Sequence, residues 1–217
     1  MNAKVIIPKR IFIMWGGAIS KEAKLYKEIA TKSGNPNVNF KGPESWGGIR
    51  SVGNKNYFDD AIPYFFLMSQ TYASSLSVIN NFIAQKGQSS RTETHIVFDN
   101  CPDFKVPDSK IIAYLSKAFY EKDGRANGFH VKRNIISFAQ KMSAYIIITD
   151  RPNLAISASE KNINSILLLR KWNRVFCKCN TKLILGETRS KNIENNLHLA
   201  EDWDEAKEII NNLMKEH

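Results

Sequence analysis

Four short runs of β-branched and aromatic residues punctuate the chain: Lys9–Ile13, Thr94–Phe98, Ala144–Thr149 and Ser165–Leu169. Between and after them, apolar residues recur three or four positions apart, the spacing of an amphipathic helix. Phe65, Met68, Tyr72, Leu76, Ile79 and Ile83 form such a stripe over Tyr57–Lys86, and Asp202–Met214 forms another. Further helices are expected over Lys21–Thr31 with Ser20 as its cap, from Asp108 or Ser109 through Tyr120, over residues 132–142 and over Leu154–Lys161. Strands that alternate with helices are joined by crossovers, so they pair in parallel. The expected fold class is therefore α/β, a Rossmann-like, mostly parallel sheet flanked by helices. Residues 33–57 are rich in Gly, Pro and Asn and read as a long loop or irregular cap. This divides the chain into a core, residues 1–19 and 90–217, and a helical, cap-like insertion, residues 20–89.

At 217 residues and 43% hydrophobic the chain can bury a substantial core, which excludes a disordered tail or a disulfide-stapled mini-protein. Its apolar stretches fall far short of a membrane span, and the opening Met1–Pro8 does not read as a signal peptide. Three cysteines, an odd number, suit a cytoplasmic or other reducing intracellular compartment. Cys177-Lys178-Cys179 would need two more ligands to hold a metal, from Cys101 and one of His95, His130 or His198, and reads better as ordinary thiols.

The formal net charge is +10, from 31 Lys and Arg against 21 Asp and Glu. Its densest part is Arg170, Lys171, Arg174, Lys178, Lys182, Arg189 and Lys191, opposed only by Glu187. Such a segment can contact phosphates and release counterions, so these are the candidate partner-binding residues, with nucleic acid, a ribonucleoprotein or another protein as the partner and no membrane. A solvated basic loop without a partner carries equal weight. No zinc finger, KH loop or RNP signature accompanies the charge. Trp15 and Trp46 could line a cleft between core and cap, although core packing is the commoner role for a tryptophan.

Residues 145–174 narrow the reading. Tyr145-Ile-Ile-Ile-Thr-Asp-Arg-Pro-Asn153, Ala155-Ile-Ser-Ala-Ser-Glu-Lys161 and Ile166-Leu-Leu-Leu-Arg-Lys-Trp-Asn-Arg174 follow one another, and Glu201-Asp202-Trp203-Asp204-Glu205 opens the last helix. This succession resembles the carboxyl half of the haloacid dehalogenase-like superfamily, closest to the small C-type 5′-nucleotidases and deoxyribonucleotidases. The resemblance implies a phosphatase scaffold with an aspartyl nucleophile and an acid/base Asp after the first strand. It also implies a Ser or Thr and a Lys on the phosphoryl oxygens, and an acidic Mg²⁺ site. On this chain the D-x-D-G-T signature falls on Met14-Trp15-Gly16-Gly17-Ala18. The nucleophile position is thus Met14, the acid/base position Gly16 and the Thr position Ala18. The Thr after the second strand becomes Asp99, a carboxylate that would repel phosphate, and Thr149 replaces the first acid of the final pair. Lys132 and Asp150 are retained. With three strand ends altered, the expectation is a pseudoenzyme with no catalytic residues, no metal and no cofactor. The alternative is a divergent 5′-nucleotidase or other phosphohydrolase with residual, Mg²⁺-dependent activity. The opening Ile7–Gly17 is also similar to that of some sugar-nucleotide glycosyltransferases, but Asp202-Trp203-Asp204, which has the spacing of their Asp-x-Asp, reads better as a helix start.

Overall fold

A computed structural model describes residues 8–32, 70–72, 74–84, 92–99, 107–174 and 191–215. In chain order the elements are β1 (Lys9–Met14), α1 (Glu22–Lys32), α2 (Ser75–Ala84), β2 (Thr92–Asp99), α3 (Asp108–Tyr120), β3 (Gly128–Lys132) and α4 (Ile135–Lys141). They continue with β4 (Ala144–Thr149), α5 (Pro152–Glu160), β5 (Asn164–Leu168), α6 (Lys191–Asn196), β6 (Leu197–Ala200) and α7 (Trp203–Lys215).

The six strands form one sheet in the order β3-β2-β1-β4-β5-β6, and every pairing is parallel. The fold class is the expected α/β. From β1 the chain steps outward through β2 to β3, then returns to the other side of β1 and steps outward through β4, β5 and β6. Right-handed crossovers in opposite directions put their helices on opposite faces, so the sheet is covered twice. Accordingly α2 packs against α7, while α5 packs between α4 and α6. Ile11–Met14, Ile96–Phe98, Ile146–Ile148 and Ile166 of the strands share one core with Val78, Ile79, Phe82, Ile111, Leu115, Phe119, Trp203 and Ile210 of the helices. Because Val78, Ile79 and Phe82 lie in that core, α2 packs on the sheet although it falls within residues 20–89.

Several elements differ from the sequence expectation. Residues 128–132 form edge strand β3, so the helix expected from 132 begins at Ile135, where the Asn134 side chain accepts from the Ser137 amide as its cap. Strand β6 also escaped the reading, since four residues, Leu197–Ala200, alternate too briefly to register as a strand. Ser20 does not cap α1. Its hydroxyl donates to the Trp15 carbonyl at 3.1 Å, and the first helical amides bond to the Lys21 carbonyl instead. Tyr72 lies before α2 rather than on it, because Thr71 pairs with Ser20 in an antiparallel bridge. Asp202-Trp203-Asp204 is a helix start as expected: the Asp202 carboxylate accepts from the Asp204 and Glu205 amides at 3.0 Å. Among the described residues no helix is long and apolar enough to cross a membrane.

Candidate functional site

Strand order reverses between β1 and β4, and in open parallel sheets ligands bind beyond the carboxyl ends of the strands at such a point. Here those ends carry Met14, Asp99, Lys132, Thr149, Asp150 and Arg170. Met14 closes β1 with a fully buried side chain, paired in register with Val97. Trp15 is also fully buried, its ring edge-on to Phe119 at 6.3 Å, so it belongs to the core and not to a cleft.

The chain then turns through Gly16 and Gly17. Gly17 has φ +75°, and a Cβ built on it would lie 1.8 Å from Asp150 Oδ2. Glycine is therefore required twice over, for its backbone conformation and because the Asp150 carboxyl packs directly against its Cα. Asp150 is 2% exposed. Its Oδ2 accepts from Trp172 Nε1 at 3.1 Å, while Oδ1 finds no hydrogen-bond partner among the described residues. Burial pushes this carboxyl up to about 6, and the nearby Arg151 and Arg170 charges and the Trp172 bond oppose the rise only in part.

Asp99 and Arg151 form an ion pair. Asp99 ends β2 and Arg151 follows β4, the two neighbours of β1, so the pair spans the end of the central strand. Thr149 is buried and its hydroxyl accepts from the Arg151 amide at 3.1 Å, fixing the turn into α5. Lys132 stands beside Asp99 in register on β3, and its ammonium lies over the Phe138 ring, 5.0 Å from the centroid.

Beyond β5, Asn173 builds a tight turn. Its side-chain oxygen accepts from the Arg170 amide at 2.7 Å, and its amide donates to the Asp150 and Leu168 carbonyls at 2.7 and 2.9 Å. Both side-chain N–H groups and the side-chain oxygen are engaged, and the ends of β4 and β5 are fastened together. Arg170 is 8% exposed and turns inward, donating to the Gly17 and Ala18 carbonyls at 3.1 and 3.0 Å with its guanidinium 3.5 Å from the Tyr72 ring centroid. Trp203 Nε1 donates to the same Ala18 carbonyl at 2.9 Å. The loop after β1 is thus held by β4, β5 and α7 at once.

The sheet brings Met14, Gly16, Ala18, Asp99, Thr149 and Asp150 to one rim, with Lys132 farther out on the edge strand. The basic set divides. Arg170 is a correction to the expected partner-binding surface, because its guanidinium is spent on the Gly17–Ala18 loop. Lys171 and Arg174 are exposed, Arg174 in an ion pair with Glu201. Lys178, Lys182 and Arg189, like Trp46, Cys101, Cys177 and Cys179, lie outside the described residues, and the Lys191 side chain does too. His95 Nδ1 and His130 Nε2 are 3.1 Å apart. Among the described residues no group of three His, Cys, Asp or Glu side chains could hold a metal ion. Sequence reasoning missed Arg151, Trp172, Asn173 and Tyr72. Arg151 follows Asp150, and Trp172 and Asn173 lie within the quoted 166–174 stretch, whereas Tyr72 is brought in by the isolated Ser20–Thr71 bridge and the bond from its amide to the Ile19 carbonyl.

The parallel α/β fold of the chain is similar to that of a solved haloacid dehalogenase-like hydrolase. It superposes on a protein described as a haloacid dehalogenase-like hydrolase from Burkholderia xenovorans with a TM-score of 0.55 and 11% identity, covering 96% of this chain and 99% of that one. A haloacid dehalogenase-like family protein from Streptococcus pneumoniae has a TM-score of 0.48 and 11% identity, covering 89% and 94%. A subfamily IA hydrolase from Geobacter sulfurreducens has a TM-score of 0.48 and 9% identity, covering 98% and 100%. No protein-family model and no curated protein sequence matches the chain. The Mg²⁺ that the sequence resemblance implies would need several hard oxygen ligands. The residues present do not fit it: positions 14 and 16 carry no carboxylate, Asp99 is paired with Arg151, and Asp150 is buried between Gly17 and Trp172.

Proposed function

We propose that the chain is a pseudoenzyme, a phosphatase-like scaffold that engages an anionic partner without hydrolysing it and works without Mg²⁺ or another cofactor. The reading rests on the Asp99–Arg151 ion pair, which bridges β2 and β4 over a buried Met14. A phosphoryl group attacked from the end of β1 would have to displace that pair, and it would meet a thioether instead of a carboxylate. Thr149, Lys132 and Asp150 are likewise turned to structural use, as backbone acceptor, cation over Phe138 and buried acceptor for Trp172. The exposed Lys171 and Arg174 remain for the partner, and the basic residues 178, 182, 189 and 191 add charge of the same sign in the sequence. The odd cysteine count fits a reducing intracellular compartment. Residues 20–89 are kept as the insertion of the scaffold in chain order, with α2 contributing to the core.

The competing reading, a divergent C-type 5′-nucleotidase or related phosphohydrolase, has one feature in its favour, the buried Asp150 with its raised pKa, which suits a general acid. A nucleoside monophosphate panel with Mg²⁺ separates the two. Release of phosphate no faster than the buffer background is expected; turnover that Asp150→Asn abolishes would overturn the pseudoenzyme reading.

A further inference from the structure

Beside the turn after β5 lies a groove of about 740 Å³, lined by Tyr72, Leu169, Arg170, Lys171, Trp172 and Arg174, with Ala23 of α1 at its margin. From it we infer that the partner is single-stranded nucleic acid, with a base stacked in the groove against Trp172 and the flanking phosphates on Lys171 and Arg174. This rests on the reading above that the chain binds an anion without cleaving it.

Proteins that take single strands combine aromatic faces with cations that follow the backbone. Both are assembled here. Trp172 is half-buried, and its N–H bond to Asp150 fixes how the indole sits, so little ordering is left to be done on binding. The Tyr72 ring is steadied by the Arg170 guanidinium, 3.5 Å from its centroid. Lys21 brings a further ammonium within 5.9 Å of the centroid of that ring. Lys171 and Arg174 flank Trp172 in sequence, and both are exposed. Of the carboxylates that touch this set among the described residues, Asp150 is engaged by the Trp172 N–H, and Glu201 pairs with Arg174 at the rim, where a phosphate would compete with it. A groove of this size takes one or two nucleotides of a strand. The net charge of +10 exceeds what a mononucleotide would neutralise and suits a polyanion. Stacking requires an unpaired base face, which a duplex does not offer.

Fluorescence anisotropy with a short labelled oligouridylate and its duplex counterpart, on the full chain at low salt, tests this. The single strand is expected to bind more tightly than the duplex. Lys171→Gln should flatten the dependence of log K on log salt by about 0.7. Trp172→Leu should weaken binding about tenfold, and Trp172→Phe much less. Trp172→Leu can disturb the fold through Asp150, so circular dichroism accompanies it, and Lys171→Gln at its exposed position carries the test independently. Equal affinity for duplex, displacement by polyglutamate as readily as by oligonucleotide, no binding at low salt, or unchanged binding by both Lys171→Gln and Trp172→Leu would each overturn the inference. Absent binding together with absent hydrolysis would refute this inference alone, whereas hydrolysis of nucleoside monophosphates would refute the reading beneath it.

Discussion

Asp150→Asn should stabilise the protein at neutral pH, and by an amount that depends on pH. The Asp150 carboxyl is buried, with one oxygen on Trp172 Nε1 and the other without a partner among the described residues, and its pKa rises from the ordinary 3.8 to about 6. At about 1.4 kcal/mol per pKa unit, the rise is worth roughly 3 kcal/mol. The sign follows from proton binding. Between 3.8 and about 6 the folded chain holds a proton that the unfolded chain has lost, so stability falls as pH rises across that window and levels off above it. Asparagine keeps the acceptor for Trp172 and carries no charge. The stability of Asp150→Asn relative to wild type should therefore climb by up to about 3 kcal/mol between pH 4 and pH 7. Urea unfolding followed by tryptophan fluorescence at several pH values measures this difference, and the other titrating groups cancel in it. A pH-independent difference, or a variant that loses ground to wild type as pH rises, would refute the account of Asp150 as an ionised group held at a cost.

Three further outcomes follow from the same geometry. Gly17→Ala places a methyl group on the Asp150 carboxyl at a positive φ and should cost at least about 2 kcal/mol; adding Asp150→Gly should recover part of the loss, a coupling visible in thermal melts of the double variant. Trp203→Phe removes the indole N–H from the Ala18 carbonyl and should lower stability by about 1 kcal/mol in denaturant titrations. Burial, with help from His95 and Lys132, lowers the His130 pKa to about 4, so folding loses stability as pH falls from about 6.5 toward 4. Imidazole NMR titration of His130 should give a midpoint near 4, and an ordinary midpoint would contradict its packing against Phe12 and Phe138.

The central strands were legible because burial on both faces writes itself as uninterrupted apolar runs, as in Ile146-Ile147-Ile148. The edge strands were not. Gly128–Lys132 and Leu197–Ala200 are short and half-exposed, so polar residues such as His130 and His198 break the pattern. At the rim, residue identity alone suggested which positions depart from the motifs of the family the chain resembles. It could not tell what the replacements do, because the partners of Asp99, Asp150 and Arg170 lie 52, 22 and 153 residues away. Arg170 illustrates the limit: within a basic run it reads as surface charge, and only the Gly17 and Ala18 carbonyls, far away in sequence, turn it inward.

The central position of β1 also bears on how the chain acquires its structure. Of the six strands it is the first synthesised, yet its partners are Thr92–Val97 on one side and Ala144–Ile148 on the other. Pairing on one side becomes possible once Val97 has emerged, but this keystone strand is flanked on both sides only when Ile148 has followed, nearly 140 residues later. Closing such long loops slows folding and leaves Ile11, Phe12 and Ile13 incompletely covered meanwhile. Refolding should accordingly be slow and concentration-sensitive, with the amino-terminal strand as the segment most in need of a chaperone.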